Sequence, residues 1–563
     1  MTWHYASIWE AIADAVPDAP ALVCGDVRRS WRAFEDRAAR IAAGLAAAGV
    51  GPGAKVGLYA SNCNEYLEAQ FGVFKLGACP VNVNYRYSEA ELVYLLDNAE
   101  AEALVFDARF ARRVAATLDQ LPRLKLLVAI DDGSGDALAG ATDLEALVAA
   151  HGPAPRRQQS EDDVYMLYTG GTTGMPKGVM MRQGDFSLGV TSALAASLRG
   201  LPPPANVDDL VAMVVRLHEA GEAPVSLPAC PLMHGTGCWG GAFGPHSLGG
   251  LVVTIRGDGF DPDAMWGVVE REGVTDLVIV GDAFAKPMLL ALRAAHEAGR
   301  LPDLAPLKRI ISSGVMFSRE VKEGLLELAD VTIIDVMGST EGGMGSTVVS
   351  RAQPPGATAK FVPNPGVKVF NAEDKEVAPG SEEIGMIATE TGAQLGYYKD
   401  EAKTARTFRV IDGVRYTFPG DFAKVAADGT LILLGRGSVC INTGGEKVFP
   451  EEVEEALKSH PDVFDCLVVG VPDERFGERV TAVISPRDGH ALDETALLAF
   501  ARSRVAGYKL PRRLVIVPKV QRAPNGKADY KWAKERALAD PRGDALTHSD
   551  RRSNEQREVR SLW

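Results

Sequence analysis

Short apolar runs alternate with amphipathic segments along most of the chain. The runs at 55–59, 103–106, 125–130, 251–255, 276–280 and 331–335 are nearly continuous in apolar residues. Such runs read as strands buried on both faces. Between them, alanine-rich stretches such as 9–15 and 34–48 repeat apolar residues at helical spacing. Strand and helix signals in alternation predict parallel sheets covered by helices. No short repeat period is present. Near Gly435 the texture changes. A strand at 431–434 runs into the glycine-rich Gly435-Arg-Gly-Ser-Val-Cys-Ile-Asn-Thr-Gly-Gly-Glu446. A helix at 450–459, strands at 465–471 and 479–485, a helix at 493–504 and a strand at 513–517 follow. About a hundred residues of this kind suffice for a small α+β domain. The expected organisation is an N-terminal domain over 1–435, a second domain over 436–540, and a charged, apolar-poor, disordered tail over 541–563. A chain of 563 residues is too long for one ordinary core, which also requires at least two domains.

Composition narrows the class. Charged residues make up 24% and the formal net charge is −14. An acidic surface argues against a nucleic-acid partner. The seven cysteines are Cys24, Cys63, Cys79, Cys230, Cys238, Cys440 and Cys466; the count is odd and none form a CxxC pair. Neither a disulfide framework nor a zinc site is expected, and a reducing cytoplasm fits. The N-terminus shows no basic region followed by an apolar core, so no signal peptide is expected. The one long uncharged stretch, 223–255, is crowded with Gly and Pro and carries His234 and His246. Such a segment makes a poor membrane helix and reads instead as a glycine-rich wall of a buried cavity.

The strongest chemical signal is Tyr168-Thr-Gly-Gly-Thr-Thr-Gly-Met-Pro-Lys-Gly-Val179, which follows a strand-like run at 163–168. Its glycines, Gly170 and Gly171 among them, let backbone amides turn toward an anion. Thr169, Thr172 and Thr173 add hydroxyl donors, and Lys177 adds a positive charge. Met175 and Pro176 separate Lys177 from the last glycine, unlike the Walker A spacing. Taken alone, a flexible Gly/Thr turn is the competing reading.

This loop resembles the signature of the adenylate-forming superfamily: acyl-CoA synthetases, luciferases and peptide-synthetase adenylation domains. Strings similar to that family's other motifs follow in order: Ser312-Ser-Gly-Val-Met-Phe-Ser318, Gly338-Ser-Thr-Glu-Gly342, Tyr416-Thr-Phe-Pro-Gly-Asp421, residues 435–450, and Ala523-Pro-Asn-Gly-Lys527. The resemblance implies an α/β fold. A large N-terminal domain of parallel-rich sheets covered by helices would carry a β-barrel-like subdomain, with a small mobile α+β domain after it. It also implies ATP, Mg²⁺ and CoA as cofactor and co-substrates, and a small carboxylic acid as the molecule activated.

Roles carried over by resemblance fall on specific positions. Glu341 would hold Mg²⁺ on the ATP phosphates, since hard cations take carboxylate oxygen. Thr340 would hydrogen-bond the α-phosphate, with Gly338 and Ser339 beside the nucleotide; a Ser/Thr helix cap is the plain alternative. Asp335 would accept from the adenine amino group, and Gly314 and Val315 would line the ring. Met337 stands where the family often has an aromatic residue, with core filling as its alternative. Asp421 and Arg436 would bind the ribose. Lys527 would stabilise the charge that builds as a carboxylate attacks the α-phosphate. His234 would lie near the substrate carboxylate and gate the acyl tunnel. After adenylation the small domain would rotate and present Thr443, Gly444 and Gly445 to pantetheine. Ser438 occupies the family's pivot position, and Arg475, Phe476, Gly477 and Lys509 are further candidates on the CoA side.

Within the superfamily, Gly281-Asp-Ala-Phe-Ala-Lys-Pro287 and residues 437–447 look similar to actinobacterial ligases for steroid side chains and polycyclic terpenoid acids. Gly235, Gly237, Gly240, Gly241 and Gly281 would leave room for such bulk. A medium- or long-chain fatty acid suits the same tunnel. Transfer to a carrier protein, or a silent nucleotide-binding protein, are the rival readings. A homodimer is an admissible assembly.

Overall fold

The computed structural model describes residues 1–169, 175–257, 259–356, 359–443, 446–473, 476–522 and 526–539. The chain divides into two compact units. One comprises Met1–Pro419 with Lys424–Ile432; the other comprises Gly420–Ala423 and the chain from Leu433.

The first unit is built on two sheets. In one, Lys55–Tyr59 lies parallel between Cys79–Asn82 and Ala101–Asp107, with Leu126–Ile130 parallel beyond. Val164–Thr169 joins Cys79–Asn82 in parallel, then turns back antiparallel through Lys177–Arg182. The strand Gln394–Tyr397 adds antiparallel to Lys177–Arg182. In the second sheet, Leu251–Thr254, Val225–Pro228, Asp276–Ile279, Arg309–Ser313 and Thr332–Ser339 run parallel in that order. Gly342–Val349 and Lys360–Pro363 extend it antiparallel. The strands Val367–Phe370, Gly385–Glu390, Phe408–Ile411 and Val414–Thr417 also pair antiparallel.

The apolar runs place most strands to within a residue or two. One runs longer than its pattern. The run at 331–335 continues to Ser339 because the glycines and serines of that stretch pair with Gly342–Val349 across a hairpin. The uncharged stretch 223–255 resolves into the strand Val225–Pro228, a π-helix Thr236–Phe243, a short helix Gly244–Ser247 and the strand Leu251–Thr254. No helix among the described residues is long and apolar enough to cross a membrane.

Aromatic packing fixes the N-terminal helix Tyr5–Ala15. Phe74, fully buried, meets Tyr5 at 5.6 Å, Trp9 at 6.0 Å, Tyr165 at 5.9 Å and Phe243 at 5.8 Å between ring centroids. One ring therefore ties the helix to the strand leading into the phosphate loop and to the π-helix. Phe74→Ala is expected to cost about 3–5 kcal/mol, read as an earlier thermal unfolding transition of the full chain.

The second unit centres on the long hairpin Val463–Asp473 with Gly477–Pro486, with Arg513–Ile516 added in parallel. The helices Pro450–Lys458 and Glu494–Arg502 pack Val453, Leu457 and Leu497 onto Val468 and Ala482. Glu451 opens the first of these helices in an unusual setting. Burial and Glu454 push its carboxyl up to about 8, with Asp421 adding to the rise; hydrogen bonds from its own N–H and that of Arg436 oppose the shift. Gly435 is a glycine with φ +127, and a Cβ there would fall 2.1 Å from Glu451 Oε2. Glu451 thus stays protonated in the folded chain while the unfolded chain ionises above the ordinary carboxylate range. Its stabilisation is complete below that range and is lost as pH rises through about 8. Glu451→Gln should therefore melt above wild type near that pH and match it at roughly pH 4. Identical differences at both pH values would contradict this.

Candidate active site

The two strands that flank the phosphate loop in sequence pair with each other. Thr169, the last residue of Val164–Thr169, faces Lys177, the first of Lys177–Arg182. Gly170, Gly171, Thr172 and Thr173 lie outside the described residues. Lys177 forms an ion pair with Asp400, and this hydrogen bond is the main cause holding the Asp400 carboxyl below its ordinary range. Asp400 also caps the helix Glu401–Thr407, accepting from Lys403 N at 2.9 Å. The Lys403 ammonium lies 4.2 Å from the centre of the Tyr397 ring. The Tyr397 hydroxyl donates to Glu341 Oε1 at 2.5 Å. Glu341 sits at the tip of the hairpin between Thr332–Ser339 and Gly342–Val349, where Ser339 faces Gly342. Its own N–H donates to Ser339 Oγ at 3.2 Å. Thr340 occupies the same tip, so a hairpin turn, not a helix cap, presents the pair.

Lys177 and Glu341 therefore reach one place through Asp400, Lys403 and Tyr397, none of which the sequence singled out. Its signal was faint: a Gly-Tyr pair and an aspartate ahead of a short helical pattern. The pairing of Tyr397 with Val179 sets this segment beside the loop's return strand.

On the base side, Ser312 and Ser313 pair with Asp335 and Val336, so Gly314 and Val315 leave their strand beside Met337. Met337 is buried. Asp335 departs from expectation. Its carboxylate is buried and its Oδ2 accepts from Lys322 Nζ at 2.6 Å. Burial raises its carboxyl pKa, with Lys322 opposing. A lysine thus engages one oxygen of the group expected to accept from the adenine amino group, and Oδ1 is left as the acceptor. The turn after Ser313 is pinned to the helix Gly281–Glu297. Asp282 Oδ1 accepts from Ser318 N at 2.9 Å and Ser318 Oγ at 3.1 Å, and Gly281 N donates to Ser312 Oγ at 2.9 Å.

Gly281, expected to line the acyl pocket, is hemmed in on the side where a Cβ would stand. Its φ is +49, and a Cβ would lie 2.4 Å from Met316 O. Close approach of the base-side turn demands the glycine. At Gly237 a Cβ would lie 2.4 Å from Pro231 O. At Gly241 the Pro228 ring intervenes at 2.6 Å, and at Gly235 the Trp239 ring lies 3.1 Å away. Gly240 is the one of these five with nothing nearer than Val278 Cγ1 at 3.9 Å. Glycines here mainly allow tight packing around a π-helix, a helix form common at functional sites.

His234 is half-buried at the start of that segment. Two asparagines fix its approach. Asn62 donates to Pro228 O at 3.2 Å and Cys230 O at 3.0 Å and accepts from Leu232 N at 2.8 Å. Asn82 donates to Met233 O and to Tyr168 O, and accepts from Tyr168 N at 2.8 Å. One amide thus couples the residue before His234 to the strand that opens the phosphate loop.

In the second unit, Asp421 and Arg436 come together, with Nε donating to Oδ1 at 3.3 Å. Lys527 is exposed and follows buried Gly526. Arg522 donates to Gly526 O at 3.1 Å and grips Asp465 at 2.6 and 2.7 Å. Thr443 is buried and pairs with Glu446; Gly444 and Gly445 lie outside the described residues, as do Arg475 and the Ser438 side chain. Lys509 is taken up by Glu452 at 2.6 Å, and Phe476 lies under the Arg512 guanidinium at 4.0 Å. Both weak CoA-side candidates thus have structural partners.

Residues 9–398 match the AMP-binding enzyme family, and residues 452–527 match the AMP-binding enzyme C-terminal domain. The medium/long-chain-fatty-acid–CoA/3-oxocholest-4-en-26-oate–CoA ligase of Mycobacterium marinum is 42% identical over 557 residues, covering 96% of this chain and 98% of the relative. The 3-oxocholest-4-en-26-oate–CoA ligase of Rhodococcus rhodochrous is 41% identical, covering 98% and 99%. The crystal structure of the anthranilate CoA ligase AuaEII in complex with anthranoyl-AMP shares the fold, with a TM-score of 0.82 at 24% identity over 96% of this chain and 98% of that one. The ordered phosphate-loop strands, the Gly-Ser-Thr-Glu hairpin and the separate C-terminal unit are accounted for together: the chain belongs to the AMP-binding enzyme family.

Proposed function

We propose that the protein is an ATP-dependent acyl-CoA ligase whose acid is a fatty acid or the side-chain carboxylate of a steroid or polycyclic terpenoid. The observation that carries the reading is the linkage of Lys177, at the end of a phosphate-loop strand, to Glu341, at the tip of a hairpin of the other sheet, through Asp400, Lys403 and Tyr397. The names of relatives more than 40% identical over nearly the whole chain support the acid class and the CoA acceptor.

In the first half-reaction the substrate carboxylate oxygen attacks the α-phosphorus and pyrophosphate departs. Lys177 and the loop amides hold the phosphates, and Thr340 donates to the α-phosphate. Lys527 places an ammonium against the charge that grows at the transition state. Glu341 suits Mg²⁺: its buried carboxylate gives one oxygen to Tyr397 and keeps the other for a hard cation. When bound, the ion would neutralise phosphate charge. Asp421 and Arg436 hold the ribose, with Asp335 Oδ1 and the turn at Gly314 and Val315 against the base. In the second half-reaction the CoA thiolate attacks the acyl carbonyl and AMP leaves, with Thr443 and the adjoining glycines lining the thiol's path. The C-terminal unit would turn near 435–438 between the two steps.

Two outcomes test this. Purified protein given ATP, Mg²⁺ and CoA with a panel of fatty, aryl, steroid and diterpenoid acids should form a CoA thioester from at least one fatty or polycyclic acid, detected by mass. AMP formed without any CoA thioester would defeat the acceptor. Lys527→Ala should lower adenylation about 10²–10³-fold and spare thioester formation from a supplied acyl-adenylate; equal loss of both would remove its role.

A further inference from the structure

Lys403 is a charged group that the ligase reading does not use. It stands on the helix Glu401–Thr407, whose cap Asp400 binds Lys177. Its ammonium is half-buried and stacked at 4.2 Å on Tyr397, whose hydroxyl holds Glu341. No carboxylate lies within ion-pair distance of it among the described residues. Asp400 is engaged by Lys177, and Tyr397 occupies Glu341 Oε1. A ring face compensates only partly for the water an ammonium loses on burial. The cost shows in the direction of its pKa, which burial lowers; Glu341 and Asp400 oppose from beyond ion-pair distance, and Lys177 and Arg406 add to the fall. A partly dehydrated cation, close to a second cation and lacking an anion of its own, is arranged for an anion that arrives from outside. The nearest chemistry that calls for one is the phosphate chain held by the loop that Lys177 closes.

We propose that Lys403 is a second cation of the polyphosphate site, binding the β- and γ-phosphates of ATP and the pyrophosphate that leaves. This rests on the ligase reading and extends it. As the carboxylate–phosphorus bond forms, the bond from the α-phosphorus to the bridging oxygen breaks and its electron pair passes to pyrophosphate. An N–H donor on that anion stabilises the charge where it accumulates. Lys177 and Lys403 bracket the site, and Tyr397 joins the second cation to the Glu341 carboxylate. AMP lacks both outer phosphates, so Lys403 contributes nothing to AMP affinity.

The test is calorimetric binding to the full chain in Mg²⁺ of three probes: inorganic pyrophosphate, α,β-methylene-ATP and AMP. Lys403→Met should weaken pyrophosphate and the ATP analogue roughly tenfold to a hundredfold, the span of a charge-assisted hydrogen bond, and leave AMP unchanged. Lys403→Arg should keep most of the affinity. Wild-type pyrophosphate affinity in Lys403→Met would overturn the proposal. So would equal loss of AMP binding in both variants, which marks a structural lysine, or failure of wild type to bind pyrophosphate. The ligase reading fails separately, on absence of acid-dependent AMP formation by wild type. In that event a selective loss of pyrophosphate in Lys403→Met would still establish the site.

Discussion

The hydrogen bond from Tyr397 to Glu341 joins the two sheets of the N-terminal unit at the place where phosphates would lie. Tyr397 ends the strand added to Lys177–Arg182, whereas Glu341 tips a hairpin at the far side of the second sheet. The protein must bring a cation from one sheet and a carboxylate from the other within reach of one ligand, without letting them neutralise each other directly. It does so with intermediaries. Asp400 holds Lys177, Tyr397 holds Glu341, and Lys403 lies on the tyrosine ring. Buried charges are costly unless compensated, and these contacts supply part of that compensation from within the chain.

The same economy of position governs the acyl side. Two asparagines fix the segment that leads to His234, and Asn82 links the residue before it to Tyr168 on the strand that precedes the phosphate loop. The glycines around it chiefly permit close backbone contact. Space is left near Gly240, beside Trp239, whose indole N–H donates to the Tyr165 hydroxyl at 3.0 Å. A ring anchored in this way sets a boundary more firmly than an absent side chain does.

Much of the fold is legible in the sequence because buried parallel strands leave continuous apolar runs: 55–59 is the strand Lys55–Tyr59 itself. The family motifs point to Lys177, Glu341, Asp421 and Arg436 because their residue types stand at characteristic local spacings, and the last two do meet. What escapes is long-range. Lys177 and Asp400 are 223 residues apart, and Asp335 meets a lysine from a neighbouring helix. No local pattern encodes such pairs. What surrounds Gly281 and Gly237 is long-range in the same way. A glycine in sequence signals a missing side chain but not whether backbone or empty space fills the gap.

The most direct measurement is exchange of labelled pyrophosphate into ATP by the purified protein without CoA. If a carboxylate attacks the α-phosphate here, adding a substrate acid should switch on exchange and CoA should not be needed. Exchange that ignores the acid, or cleavage of ATP to ADP in place of AMP, would contradict the account at its centre.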